Sequence, residues 1–370
     1  MNILLPIFFL SLLITILLGA HWFLYFSFIN FFSLSGSSQK ILIGFLIFLG
    51  ISFILSSILS HWNDNVFTRA YYFLSGVWLG ILNNFVLAAI LIWLIILIER
   101  FFNLNLNPAI LASPIFVIAF FLSIYGVWNA LNPEIKNISV SIPNLPEVWK
   151  GKKIIQLSDV HLGHIYREKY IKRIVEKLNN EKPEMVLITG DLFDGMDGNL
   201  APIIKPLEDI QTKQGVFFVT GNHETYLGLE NTFTTLKNSQ LKIIRDEVID
   251  AKGLKLIGIS YPERNKKKDV VAILESLKKD YLGKPNILLY HTPTNISEIK
   301  NQGINLELCG HTHKGQFFPF NLITKLVYRG YDYGLFEMDD YTLHTSNGAG
   351  TWGPTMRVGN TPEIVVITLQ

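Results

Sequence analysis

Two histidines stand two apart in Cys309-Gly310-His311-Thr312-His313-Lys314-Gly315-Gln316, behind the short apolar run 304–308. Side chains two apart on an extended segment share a face, so a strand ending here would present two imidazoles at one sheet edge. That suits a metal ion, although a surface histidine pair explains the same residues equally well. Four other runs end in a similar way. The run 153–158 leads into Asp159-Val160-His161-Leu162-Gly163, and 185–189 into Gly190-Asp191-Leu192-Phe193-Asp194. The run 216–220 leads into Gly221-Asn222-His223-Glu224, and 286–290 into His291. Asp159, His161, Asp191, Asn222, His291, His311 and His313 are then seven candidate ligands, enough for two cations once water is added. Imidazole with carboxylate and amide oxygens suits Mn, Zn or Fe, and a carboxylate can bridge two ions through its two oxygens. Cys309 reads as a buried strand residue instead of a ligand.

The elements that must hold these residues are strands alternating with helices. Tyr170, Ile171, Ile174, Val175 and Leu178 fall on one face of a helix over 167–178. A second helix is expected over 202–211. Alternation of this kind predicts an α/β sheet, whose ligands sit beyond the carboxyl ends of the strands. The stretch 334–347 predicts a hairpin turning at Asp339-Asp340, and 363–369 a last strand. The sheet is therefore mixed, with a second sheet packed on it.

The series Asp-x-His, Gly-Asp-x-x-Asp, Gly-Asn-His-Glu, a lone His and Gly-His-x-His resembles the motif order of calcineurin-like metallophosphoesterases, over about residues 140–370. Ser158 to Gly163 and the tail Gly350-Thr351-Trp352-Gly353-Pro354 to Arg357 look closest to the YkuE-like branch. The apolar first part resembles the transmembrane proteins with a metallophosphoesterase domain. The resemblance implies a four-layer α/β/β/α sandwich and two divalent metal ions. It implies that Asp159, His161 and His313 hold the first ion, that Asn222, His291 and His311 hold the second, and that Asp191 bridges them. It implies that His223 is the general acid. Glu224 is expected either to orient His223 or to face solvent. Asp194 is a candidate to orient a ligand histidine, and Arg357 a candidate phosphate clamp. His164 and His344 are expected to be structural or exposed.

The chain has 370 residues, with 32 Lys and Arg and 30 Asp and Glu. Only six of these charged residues, Lys40, Asp64, Arg69, Glu99, Arg100 and Glu134, lie within 1–135. Four apolar runs there, about 3–31, 41–60, 71–98 and 109–131, each exceed the ~18 residues that mark a membrane-spanning helix. The first is too long for a signal peptide's apolar core, so no cleavage is expected. Trp22, Trp62, Trp78, Trp93 and Trp128 fall mostly near run ends, like an interfacial belt. Asn83 and Asn84, mid-run, are expected to hydrogen-bond between helices. The expected division is a multi-span domain over 1–135, a connector over 136–150 and a phosphoesterase domain over 151–370. Arg69, Lys136, Lys150, Lys152 and Lys153 fall on the soluble domain's side of the membrane, against Lys40 and Arg100 on the other. This places the soluble domain in the cytoplasm by the positive-inside rule.

The expected function is that of a membrane-anchored phosphohydrolase cleaving phosphoester or pyrophosphate bonds. Four spans exceed what a tether needs, so membrane lipid and a phosphorylated, lipid-linked substrate are the expected partners. Relatives that cleave UDP-2,3-diacylglucosamine supply an example by analogy. A non-catalytic membrane sensor or scaffold is one alternative, against which the intact ligand set stands. A protein phosphatase is another, for which no docking feature appears. A net charge of +2 disfavours a nuclease, and no nucleic-acid partner is expected. The basic run Lys266 to Lys268, with Arg264 before it, reads as a solvated loop or a headgroup contact.

Overall fold

A computed structural model of the chain describes residues 4–195, 200–263 and 266–370. The chain forms two compact units. The first comprises the residues up to Trp128 together with Gly353–Met356, and the second Asn129–Trp352 with Arg357–Gln370.

The first unit is built on α1 (Leu4–Phe31), α2 (Ser37–Trp62), α3 (Val66–Phe102) and α4 (Pro108–Ala130). All four are long and apolar enough to cross a membrane. The 37 residues of α3 exceed the expected run at both ends. At 1.5 Å per residue they span about 55 Å, against a hydrocarbon core of about 30 Å. Its start is set by Asn65, whose Oδ1 accepts the Phe67 and Thr68 amides while Thr68 Oγ1 accepts the Asn65 amide. Its end is set by Asn103 in the left-handed region. Polar side chains tie the helices together. Trp78 Nε1 donates to His21 Nε2 and Trp93 Nε1 to Ser27 Oγ, each at 3.0 Å. Asn84 Nδ2 donates to Ser123 Oγ at 2.8 Å, the interhelical role expected for it. Trp78 and Trp93 thus serve the bundle interior rather than an interfacial belt.

The second unit opens with β1 (Glu134–Val140), β2 (Lys153–Leu157), α5 (Glu168–Asn180), β3 (Met185–Thr189), α6 (Ala201–Ile204) and β4 (Val216–Val219). Then come α7 (Asn222–Leu227), α8 (Leu229–Leu236), β5 (Leu241–Ile243), β6 (Glu247–Ala251), β7 (Leu254–Ile259) and α9 (Val270–Tyr281). The chain continues through β8 (Asn286–Tyr290), α10 (Ile296–Lys300), β9 (Leu306–Cys309) and α11 (Phe320–Val327). It closes with β10 (Gly334–Met338), β11 (Tyr341–Thr345) and β12 (Glu363–Leu369).

Two six-stranded sheets form, ordered β1-β12-β2-β3-β4-β5 and β10-β11-β9-β8-β7-β6. Alternate residues of the central strands serve different layers, as the period of two requires. Ile154, Met185, Leu187 and Phe217 pack against Leu256, Ile287, Leu289 and Leu306 between the sheets. Ile155, Val186 and Ile188 face outward onto α5 and α6 residues such as Ile171, Ile174 and Ile203. Ile257 and Leu288 face outward onto Leu274 of α9 and Ile299 of α10. This is the α/β/β/α sandwich, and burial on both faces explains why its strands read as unbroken apolar runs.

Two expectations are corrected. The stretch 136–150 is not a free connector. Glu134–Val140 pairs in parallel with Glu363–Leu369, and Trp149 is buried in the inter-sheet core with its Nε1 bonded to Ala251 O. The second unit accordingly starts at Asn129. The helix expected over 202–211 is one short turn, α6, continued as a 3₁₀ turn over Lys205–Asp209. Pro206 lacks the N–H a continuing α-helix would use.

Strands β2, β3 and β4 are mutually parallel, as are β7, β8 and β9. Each group therefore delivers its carboxyl ends to one edge of its own sheet, and there the polar loops lie.

Candidate metal centre

The loops at this edge are held in demanding backbone conformations. Asp159, His161, Asp191, His311 and His313 all have φ between 49° and 72°. Such left-handed non-glycine residues cost on the order of 1–3 kcal/mol each and persist where the surroundings over-determine them. The loops after β2 and β3 supply that support by zipping together. The Asp159, His161 and Leu162 amides donate to the Gly190, Asp191 and Leu192 carbonyls at 2.8–3.1 Å. Two glycines permit the close approach. A Cβ on Gly310 would lie 2.0 Å from Ser158 Oγ and 2.1 Å from Asp159 Oδ2, and one on Gly221 would lie 2.2 Å from Asp191 Oδ1.

The seven candidate ligands come together as two adjoining groups. In one, His161 Nε2 and His313 Nε2 face each other at 3.0 Å, and Asp159 Oδ1 lies 3.5 Å from His313 Nε2. In the other, His291 Nε2 lies 3.1 Å from Asp191 Oδ2, 3.2 Å from Asn222 Oδ1 and 3.2 Å from His311 Nδ1. Asp191 Oδ2 is also 4.0 Å from His161 Nε2, so this carboxylate stands between the groups. The donor atoms of Asp159, His161 and His313 lie within 4.8 Å of one another, and so do those of Asp191, His291 and His311. Ring nitrogens and carboxylate oxygens converging at these distances fit divalent cations.

Electrostatics point the same way. Burial opposes ionisation of Asp191, yet the His291 charge and hydrogen bond hold its carboxyl far below the usual range. Burial pulls His291 down, but Asp191 outweighs it and raises the imidazole to about 10. Burial raises Asp159. Burial, then the His291 charge, lowers His311 to about 3. Burial, then His161 and Arg357, holds His313 well below its ordinary value. His291 thus supplies the positive charge that the buried Asp191 carboxylate demands, and a cation bound there would have to displace its proton.

The supporting residues sort less simply. His223 is buried, its amide donates to Asp191 Oδ1 at 2.8 Å, and its Nδ1 bonds the Asp194 carbonyl at 2.8 Å. A carbonyl only accepts, so Nδ1 carries a hydrogen and Nε2 is the atom left for proton exchange. Burial, then the His161 charge, lowers its pKa. Asp194 Oδ1 lies 3.5 Å from His161 Nδ1, a charge contact on the side of the ring away from His313. Arg357 is fully buried, which corrects its reading as a phosphate clamp. Its Nη1 donates to His313 O, and its Nη2 lies 3.1 Å from His313 Nδ1 and bonds the Asn347 and Gly350 carbonyls. It supports a ligand from behind. His344 is buried against Gln156 Oε1 and His164 is buried, consistent with structural roles; Cys309 is buried beside Glu307. Lys268 is engaged by Asp246 and Ser260 and Lys266 by Glu263; Arg264 lies outside the described residues.

Glu224 neither orients His223 nor faces solvent. It is fully buried, and its two oxygens accept the backbone amides of Gly221 at 2.7 Å, Asp191 at 3.0 Å and Phe193 at 3.0 Å. The Glu224 contact to the Gly221 amide is the reach-back half of a capping box, without the N-cap side chain that would complete it. Burial, then the Asp191 charge, raises Glu224 to about 7. Glu224→Gln turns an NH₂ group towards at least one of these amides, which should cost about 1–3 kcal/mol. The expected result is a lower unfolding midpoint for the full-length protein in detergent, with weaker metal retention. An unchanged midpoint and unchanged metal content would contradict this role.

The calcineurin-like phosphoesterase family model matches residues 152–315, the stretch from β2 through the His311–His313 loop. An uncharacterized metallophosphoesterase of Campylobacter jejuni is 34% identical over 276 residues, 74% of this chain and 72% of that one. The transmembrane protein with metallophosphoesterase domain of Danio rerio is 30% identical, over 69% of this chain and 61% of that one. The uncharacterized metallophosphoesterase YkuE of Bacillus subtilis is 26% identical, over 66% of this chain and 90% of that one. With the sandwich and these loops, the likeness to the Campylobacter protein across most of both chains makes this protein a member of the calcineurin-like metallophosphoesterase family.

Proposed function

We propose that the chain is a membrane-anchored phosphohydrolase that uses two divalent ions, Mn, Zn or Fe, to cleave phosphoester or pyrophosphate bonds. The observation that carries this reading is the convergence of five strand-end loops on one buried cluster of imidazoles and carboxylates. Asp159, His161 and His313 would hold one ion and Asn222, His291 and His311 the other, with Asp191 shared. Bound there, the pair of cations supplies charge for phosphoryl oxygens and a water of lowered pKa. The chain's own residues do the rest. Asp191, fixed by the His223 amide and by its contact with His291, keeps the two halves in register. Glu224 pins the loop that carries Asp191. His223, with Nδ1 committed to the Asp194 carbonyl, would take up a second proton at Nε2, and the imidazolium so formed would protonate the leaving oxygen. The complete donor set weighs against a vestigial sensor or scaffold, and no docking feature favours a protein phosphatase.

Four candidate spans support a lipid-linked substrate, of which UDP-2,3-diacylglucosamine is the example the family resemblance offers. The cationic bias of Arg69 and the lysines from Lys136 to Lys153 supports a cytoplasmic catalytic unit. A reporter fused after Gln370 should then be active inside the cytoplasm. Activity only outside would reverse the topology.

The role of His223 has a sharper test. His223→Ala should keep both ions and should lose rate according to the leaving group. An alkyl ester, whose leaving alcohol needs a proton, should slow by roughly 10²–10⁴-fold. A nitrophenyl ester should slow much less. Equal losses on both esters, or a missing metal, would assign His223 to metal binding or substrate positioning instead.

A further inference from the structure

Helix α11 is amphipathic in the reverse sense of a helix in a water-soluble domain. Phe320, Leu322, Ile323, Leu326 and Val327 fall within less than half a turn of the helical wheel and are 46–81% exposed. Its less exposed side chains are the polar ones, Asn321 and Thr324, with Tyr328 just past its end. Thr324 Oγ1 donates to Asp332 Oδ2 at 3.1 Å, and the Asp332 carbonyl accepts from Thr312 Oγ1 at 2.5 Å. Thr312 lies between His311 and His313, and the Tyr328 ring meets His311 edge-on at 6.1 Å. The polar face is thus fastened to the metal-site loop, and no residue of the helix is buried. Apolar area arranged in this way needs a partner.

We infer that α11 is an interfacial helix, its apolar face seated among the acyl chains of an anionic phospholipid bilayer. This goes beyond the proposed activity and rests only on membrane anchoring, not on which phosphoester is cleaved. Three observations commit the face to lipid. The chain carries four helices fit to span a bilayer. Three residues, Leu131, Asn132 and Pro133, separate the end of α4 from β1. They reach at most ~11 Å at 3.3–3.6 Å per residue, so β1 starts close to the lipid. Lys325 and Arg329 are exposed beside the apolar face, where their stems can lie along it and their charges meet anionic headgroups. The arrangement sets the His311–His313 loop at headgroup depth, where a phosphate attached to a lipid is found.

Depth can be read without turnover, so failure of the catalytic reading and failure of this one are separable. The chain has one cysteine, Cys309, and it is fully buried. A spin label on Leu326→Cys in the full-length protein therefore reports α11 alone. In phosphatidylethanolamine–phosphatidylglycerol vesicles this label should collide readily with oxygen and lose most collisions with a water-soluble nickel chelate. A label on Lys252→Cys, on the exposed turn between β6 and β7, should do the reverse. Equal nickel access at the two positions would overturn the inference. Spin–spin broadening at position 326 that disappears on dilution with unlabelled protein would also overturn it, because a second copy would then cover the face.

Discussion

A carboxylate that is only 2% exposed, Asp191, sits among imidazoles at the shared edge of two sheets, and much of the second unit serves to keep it there. A buried charge is tolerable only with compensating charge and hydrogen bonds. Here these come from His291 and from the His223 amide, while Glu224 fixes the Asp191 backbone. The loops must approach closely enough that Gly221 and Gly310 cannot carry a side chain. Five of the seven candidate ligands adopt left-handed backbone conformations. The rigid inter-sheet core beneath is what allows such strain to persist.

Much of this was legible in the sequence, because burial on both faces turns the central strands into short apolar runs. Each run stops where a polar residue is needed, as at Leu157 before Asp159 or Tyr290 before His291. The supporting residues were less legible. Arg357 looks like any phosphate-binding arginine until it is found fully buried, with Nη1 and Nη2 bonded to the Asn347, Gly350 and His313 carbonyls. Glu224 was expected to orient His223 or to face solvent, but two of the amides it reaches belong to the loop after another strand, a long-range fact no local pattern holds. Strand β1 escaped because Glu-Ile-Lys-Asn-Ile-Ser-Val is half polar and pairs with a segment at the far end of the chain. The outward face of α11 was invisible for a related reason. Periodicity marks an apolar stripe but does not tell which way the stripe points.

The two units pose different solvent problems. In the first, apolar surface is ordinary and polar groups need partners, which Asn84–Ser123 and Trp78–His21 provide. In the second, polar groups are ordinary and the apolar face of α11 is what needs explaining. The function proposed for this family member gives both a common logic, in which a phosphate is met where lipid and water adjoin.

The central claim is that one carboxylate holds a two-ion site together. Its most direct test is elemental analysis of purified full-length protein and of Asp191→Asn, alongside phosphodiester turnover. The account predicts about two divalent ions per wild-type chain, as two-metal sites carry, and coupled loss of metal and activity in the variant. A variant that keeps both ions and turns over normally would contradict it.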